Sequence, residues 1–572
     1  MTRTIARAIS LLVGCAAVSS LALADDDGFL KPNTLVISSS TYVKTGAVAH
    51  LNPSSATAQL AGPSIPVSDD NYVTVWNNAN VDANFGVTSP INLIAVEPHS
   101  GHVFGILQVP TDQVVTSFPS KSELALNFTR DRNGGHLVFQ GYAGSVVGSP
   151  GVGALDVSNA DAVAGQDPTN PVTMFFGNAH FFHRTIVALD DRNHFAYTPT
   201  ENYGGDNGRA ALLGSNGLYY TVGNSNAGSA GTFGAAGCTS TAQTTSKLNC
   251  TSPDVTETTG VEVVNPIDAR VASVTPAIPV VTGGSGSAEV NPLLTFLLNS
   301  GKADKAGKDD NFRGITEFNG AIYFTKGSGS NGVQTVYTIT TGPQYPATFV
   351  PVPNVGPSAG NVLPTVANAG SAAVQILNGF PTDSSRVTGG DFAPFALFFA
   401  NPTTLYVTDE GTNDATDASL HAGLQKWVLD KKTGSWSLAY VLQTGLIGHS
   451  YGPLAGRDGN WPQVTTIGLR NLAGRVNGNG TVTLWAVTAT NSTAGDTGAD
   501  PNQVVEITDS IAATTPAVNE TFTIVARPTY GTVYRGVAFV NEGDNDGRDR
   551  DDHGRDGDDR GHDGDDHGRD RY

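Results

Sequence analysis

Five basic residues, Lys121, Arg209, Arg313, Arg470 and Arg535, stand at matching points of one recurring phrase. Two clear copies are "DNGRAALLGSNGLYYT" (206–221) and "DDNFRGITEFNGAIYFT" (309–325). Each has a basic residue, an apolar run, a Gly/Asn turn and a strand with an aromatic or β-branched core. If the copies converge in space, the cations face one another and make an anion site. The planar guanidinium fork suits carboxylate or phosphate bidentately. The same pattern also arises if each cation pairs with an acid of its own or the neighbouring copy. Asp206, Asp310 and Asp391 precede three heads, and Glu123 follows Lys121. A sixth copy is headed by Pro394 and has no cation.

Other candidate chemistry is thinner. In "YVTDEGTNDATD" (406–417), Asp409, Glu410, Asn413, Asp414 and Asp417 offer oxygen ligands of the kind hard cations want. The same letters read as a solvated acidic turn, and nearby arginines would raise the cost of a bound cation. His180 and His183 lie three apart in "HFFH", which on a strand sends them to opposite faces. His99 and His102 share the turn-like "HSGH", and His421 follows the acidic stretch. None has a third partner at zinc-like spacing, so no metal site and no cofactor is expected. The chain has no HExxH pair and no phosphate-cradling GxxxxGK[ST].

The elements that must position these residues are hairpins. Three further copies of the phrase occur at 120–142, 389–411 and 468–490. Asn and Gly accept the backbone angles of tight turns, so each copy reads as two strands joined by a short loop. A second unit of strand, acid, polar turn and strand recurs at 92–110, 185–199 and 424–443. Two hairpins make a four-stranded unit, and repeated four-stranded units make a β-propeller. "TVYRGVAFV" (532–540) is a first strand with no second strand after it, while "NTLVISSSTYV" (33–43) is a second strand with no first. Joined, they complete one hairpin and close the ring without an exposed edge. The expected architecture is all-β, one propeller of six blades. The alternative is seven, with the extra blade within 45–90 or 340–390, because the heads lie 65 to 104 residues apart. Helical periodicity is nearly absent, "NPLLTFLLNSG" (291–301) being the best short candidate.

Composition agrees with many short strands and turns. Of 572 residues, 67 are Gly and only 15% are charged, against about a quarter in ordinary domains. The net charge of −20, without a basic stripe, repels nucleic-acid phosphate. Residues 1–24 read as a secretory signal: two arginines, an apolar stretch from Ala8, and Ala22-Leu23-Ala24 before an acidic start. "LVGC" (12–15) offers the alternative of an outer-membrane lipoprotein anchored through Cys15. No later stretch matches the length of a membrane span. After cleavage Cys238 and Cys250 remain, flanking a polar segment, and are expected to form a disulfide. Residues 25–540 are expected to form the propeller. Residues 541–572, with twelve Asp and one Glu against six Arg, cannot bury a core and are expected to be a disordered tail. The tail is solubilising or binds divalent cations weakly.

At the level of architecture the hairpin phrases and ring closure over about 30–540 resemble secreted bacterial β-propellers of the NHL-like, lactonase-like and phytase-like kinds. That resemblance implies a fold and no reaction. The expected product is a monomeric exported protein, periplasmic or extracellular. It acts as a binding or extracellular scaffold that takes a small anionic ligand or a protein partner at a basic channel mouth. The alternative is a hydrolase or lyase of lactonase-like or phosphoesterase-like chemistry at the same mouth. There an arginine would stabilise developing negative charge, with a nearby Asp or His as base.

Overall fold

The computed structural model describes residues 28–41, 85–118, 123–131, 134–143, 162–164, 184–200, 202–203, 208–223, 238–239, 247–250, 260–268, 293–296, 311–327, 332–340, 362–368, 372–382, 392–412, 421–456, 459–461, 463–492, 498 and 500–542. They contain strands and turns and no helix. Six antiparallel sheets make the blades of a propeller. Contacts divide the chain into Met1–Asn541, which holds the blades, and Glu542–Tyr572. The tail beyond Glu542, the 1–24 segment and Lys121 lie outside the described residues.

Blade 1 is the closing blade. Its inner strand, Thr532–Val540, pairs with Thr34–Thr41, which pairs with Ile91–Val96, which pairs with Val103–Gln108. Ring closure by the two ends of the chain is therefore as expected. Blades 4 and 5 are four-stranded: Phe312–Phe318, Ala321–Lys326, Thr335–Thr340 and Ala373–Ile376 in one, Pro394–Asn401, Thr404–Asp409, Gly423–Asp430 and Ser435–Leu442 in the other. Blade 2 starts from Asn127–Asp131 and Gly134–Ala143, blade 3 from Gly208–Leu213 and Tyr219–Gly223, and blade 6 from Val464–Val476 and Thr481–Asn491. These three sheets carry extra strands, and the described residues form six blades and no seventh. Phe85–Ser89 joins the blade 2 sheet, and Ala373–Ile376 is the outer strand of blade 4. The helix candidate at 291–301 is corrected: Leu294–Phe296 is a strand of blade 3. Its apolar run is short, and pairing with Val261–Val264 satisfies its backbone better than one helical turn could.

The turn chemistry follows the letters. In "FNGA", Asn319 and Gly320 both have positive φ, 47° and 71°, as a two-residue hairpin loop requires. Strand alternation then builds the core from both faces of each blade. In "TLVIS", Leu35 and Ile37 pack toward Trp485 and Val487 of blade 6, while Val36 packs toward Leu137 and Phe139 of blade 2. In blade 2, Val138 points the other way, to Ala211 and Tyr219 of blade 3. The seam that closes the ring is held by Trp485 of blade 6 stacked on Phe539 of blade 1, with centroids 5.0 Å apart and an interplanar angle of 4°.

Truncating that stack removes buried aromatic area and leaves a void. Phe539→Ala is expected to cost ~3–5 kcal/mol in urea unfolding. Val518→Ala, at a side chain 98% exposed, is expected to change stability by less than about 0.5 kcal/mol. Equal effects from the two would contradict the assignment of the closing seam.

Candidate functional site

The four described arginines of the recurring phrase share one local geometry. Each sits where the pairing of the inner hairpin slips. The register breaks between Gly208 and Ala210, between Phe312 and Ile315, between Leu469 and Leu472, and opposite the step from Ile37 to Ser39 where Arg535 lies. Blade 5 has the same irregularity between Pro394 and Leu397. A bulge bends its strand, re-aims a side chain and leaves backbone groups outside the ladder. Those groups are used by the neighbouring blades.

Every seam of the ring carries a hydrogen bond onto a backbone carbonyl of an inner strand or, in blade 2, of the segment just before it. Ser38 Oγ donates to Leu124 O at 2.7 Å, and Gln140 Nε2 to Ala210 O at 2.9 Å. Arg209 Nη1 donates to Phe312 O at 3.4 Å, and Thr325 Oγ1 to Phe395 O at 2.7 Å. Thr408 Oγ1 donates to Arg470 O at 2.5 Å, and Asn471 Nδ2 to Arg535 O at 2.6 Å. In blades 1, 4 and 5 the same hydroxyl also accepts a bulge amide, from Gly536, Gly314 and Ala396. The inner strands approach closely. A Cβ on Gly314 would lie 2.5 Å from Phe395 O, and one on Gly536 would lie 2.2 Å from Leu124 O. The Arg-Gly pairs of "FRGITEF" and "YRGVAF" thus join a re-aimed cation to a position with no room for a side chain. Leu124, whose carbonyl meets both Ser38 and Gly536, has a φ of 60°.

The arginine side chains are buried. Arg209, Arg313, Arg470 and Arg535 are each at most 3% exposed. Arg313 of blade 4 bonds the Glu410 carboxylate through Nη1, and Arg470 of blade 6 brings Nε to 3.5 Å from the other oxygen. Glu410 follows the second strand of blade 5, so one carboxylate bridges three consecutive blades. Arg535 donates from Nε to Ser40 Oγ at 2.8 Å and from Nη1 to Gly498 O at 2.8 Å.

The reading of Asp409 and Glu410 as a solvated acidic turn is corrected. Asp409 is fully buried and Glu410 is 6% exposed: Asp409 ends the second strand, paired with Pro394 and Gly423 on either side, and Glu410 follows it to meet the arginines. Asp409 accepts from the amides of Ala393 (3.1 Å) and Gly411 (2.8 Å) and from Gln425 Nε2 (3.1 Å). Burial pushes its carboxyl up to about 7, against the pull of those amides and of Arg313. His421 is buried nearby in sequence, its carbonyl accepting from Gln425 Nε2. Asn413, Asp414, Asp417, Asp206, Asp310, Asp391, His180 and His183 lie outside the described residues. His99 is a seam contact, its Nδ1 2.9 Å from Glu506 Oε2 of blade 6. Among the described residues no group of three or more His, Cys, Asp or Glu could hold a metal ion. No helix among them is long and apolar enough to cross a membrane.

Two charged clusters escaped sequence reasoning. Arg184 is fully buried in blade 2, stacked 3.5 Å over the Tyr142 ring and 3.7 Å from Glu123, which accepts from Thr116 Oγ1. Lys426 of blade 5 meets Asp509 of blade 6 at 3.0 Å, both fully buried. The available signal was a charge inside an otherwise apolar strand, as in "LQKWVL" and "RTIVAL".

The chain matches no family model and no curated protein. Among solved structures it is similar to the hemagglutinin-neuraminidase of parainfluenza virus 5 with the ligand DANA, at 10% identity and a TM-score of 0.26. That match covers 77% of this chain and 83% of the viral one. It is also similar to an ancestral GH74 enzyme, at 9% identity and a TM-score of 0.26, over 78% of this chain and 49% of the other.

Removing the shared carboxylate takes away the acid that bridges two buried cations. Glu410→Gln is expected to lose ~3–5 kcal/mol of stability in urea unfolding. Asp409 works through pH. Its carboxyl is raised in the folded chain, so the folded state holds its proton more tightly. Stability is therefore expected to fall as pH rises from 3.8 to about 7, and to level above that. Asp409→Asn should remove that part of the slope; an unchanged slope would mean that Asp409 titrates normally.

Proposed function

We propose that this chain is an exported binding or scaffold propeller, periplasmic or extracellular, whose ring arginines serve as clasps between blades. The single observation that carries this reading is the Glu410 carboxylate held between Arg313 and Arg470. Guanidinium groups engaged and buried in this way fix the blades and leave their outer faces and connecting loops for partners. Export rests on residues 1–24. The backbone register that sets Cys238 opposite Cys250 supports the disulfide that an oxidising compartment would form. Peptide mass mapping with and without reductant tests it, the expected result being one linked peptide pair that separates on reduction.

A second reading is favoured by one observation. Asp409, an acid poised near neutrality, lies beside the Arg313–Glu410 pair, and a hydrolase would use such a group as general acid or base. Its complete burial and its full set of hydrogen bonds favour the structural role. The anion reading of Lys121, Arg209, Arg313, Arg470 and Arg535 is the third outcome to separate.

One experiment divides them. The mature protein, Arg209→Ala and Asp409→Asn are melted with phosphate, citrate, a sugar acid or calcium, and assayed on lactone and phosphoester substrates. The clasp reading expects Arg209→Ala to melt lower, each anion to act equally on wild type and Arg209→Ala, and no turnover. An anion that stabilises wild type by several degrees and spares Arg209→Ala would turn the arginines into a ligand site. Turnover that disappears in folded Asp409→Asn would establish the hydrolase instead.

A further inference from the structure

The Lys426–Asp509 pair is the centre of an assembly at the seam of blades 5 and 6. Asp509 stands on Val504–Ser510, the third strand of blade 6, and its Oδ1 accepts from the Tyr440 hydroxyl at 2.7 Å. Its Oδ2 accepts from the Tyr406 hydroxyl and lies 3.0 Å from Lys426 Nζ. Tyr406, Lys426 and Tyr440 come from the second, third and fourth strands of blade 5. Lys426 Nζ also donates to the Tyr440 hydroxyl at 2.9 Å, Ser510 O at 2.6 Å and Ala513 O at 3.0 Å. Oxygens of two phenols, two carbonyls and the lysine thus enclose one carboxylate and one ammonium, both fully buried. Around them Tyr406 and Tyr440 pack with Leu424, Leu484 and Ile507 in the apolar cluster that fills the seam.

An amine and a carboxyl group placed in this way can condense. In water the reaction is held back because both partners are charged and hydrated. Here the hydration is already lost, and joining the two removes a pair of buried charges. Fixed contact supplies the proximity, since groups held together react as one molecule. The neighbours supply the rest. An uncharged amine has two hydrogens, which Ser510 O and Ala513 O can take, leaving its lone pair on the side of Asp509. The Tyr440 oxygen accepts from Nζ and its hydroxyl donates to Oδ1. A proton can therefore pass from nitrogen to phenol as the phenol's own proton passes to Oδ1. Tyr406 donates to Oδ2 and would stabilise the charge that develops there during attack. Burial, and then Asp509, hold both phenols well above their usual range, so each keeps a proton to donate.

We propose that Lys426 and Asp509 join in an intramolecular isopeptide bond, with Tyr440 as proton relay, which ties the third strands of blades 5 and 6 together covalently. The bond between Nζ and Cγ forms and the bond between Cγ and Oδ1 breaks. Starting from ammonium and carboxylate, two of the three Nζ protons leave with Oδ1 as one water. The nitrogen keeps its third proton in a neutral amide, and the step consumes no oxidant, reductant or other reactant. The ion pair is the reactant state. In the product Oδ2 is an amide oxygen still held by Tyr406, the remaining N–H faces Ser510 O and Ala513 O, and no charge is left in the seam. The tie fixes a seam that otherwise rests on packing and hydrogen bonds.

Mass spectrometry of the full mature chain, denatured and reduced, tests the bond. The chain is expected to be lighter than its sequence by one water. Trypsin is expected to spare Lys426 and release one branched peptide, whose fragments place the missing water between Lys426 and Asp509. Lys426→Arg keeps the positive charge but has no amine to condense, and should give linear peptides only. Tyr440→Phe removes the relay, so pulse-labelled chains sampled through time should link roughly a hundredfold more slowly. Wild-type chains cut at Lys426, with no branched peptide, overturn the inference whatever the mass of the whole chain. A branched peptide that persists in Lys426→Arg overturns it too, by placing the link elsewhere, and equal rates in Tyr440→Phe overturn the relay. If the variants fail to fold, the wild-type peptide map decides by itself.

Discussion

The structure depends on one contact made six times: a polar donor of one blade reaching a backbone carbonyl in or just before the inner strand of the next. In five blades the inner hairpin slips out of register, and a slipped ladder leaves backbone acceptors that must be paired elsewhere; in blade 2 the acceptor, Leu124, lies ahead of the ladder. Serine, threonine, glutamine, asparagine and arginine all supply the donor. The acceptor side is constant because it is backbone. A ring built this way tolerates variation in the donor while keeping the spacing of the strands fixed.

Charge is handled in the same economy. The chain is strongly acidic overall, yet its ring holds buried cations. They are held by carbonyls, hydroxyls and a carboxylate that spans three blades. Removing ions from water is costly unless each is met by well-placed partners. The bulge provides that placement, since it turns a strand residue that would lie on one face of the blade into the ring. Lys426 solves a similar problem further out, where an ammonium on a flexible stem sits among oxygens much as a bound cation would.

Much of the fold could be read from letters that govern local geometry. Asn319-Gly320 announces a hairpin, alternation in "TLVIS" announces two buried faces, and the unpartnered phrase at 532–540 announces a shared blade. The site was less legible, for a physical reason. Arg313 and Arg470 could be placed at corresponding points, but their joint partner, Glu410, is separated from them by 97 and 60 positions and looks polar and exposed in its own context. Burial there is decided by neighbouring blades and not by the segment. Arg184, Lys426 and Asp509 were missed for the same reason: a charge in an apolar strand marks a partner's existence and leaves its address unstated.

The closing blade carries a consequence for how the molecule is made. Gly536 and Ser38, bonded across its innermost pair, are 498 positions apart. As the chain is synthesised, Thr34–Thr41 waits through nearly the whole of translation with one edge unsatisfied. Blades 3 to 5 can condense from contacts close in sequence, but the ring cannot. The last step is thus a long-range closure, whose entropic cost grows with the logarithm of the loop it shuts. Until it happens the protein is an open arc with sticky ends, and the cell must keep those ends apart from other chains.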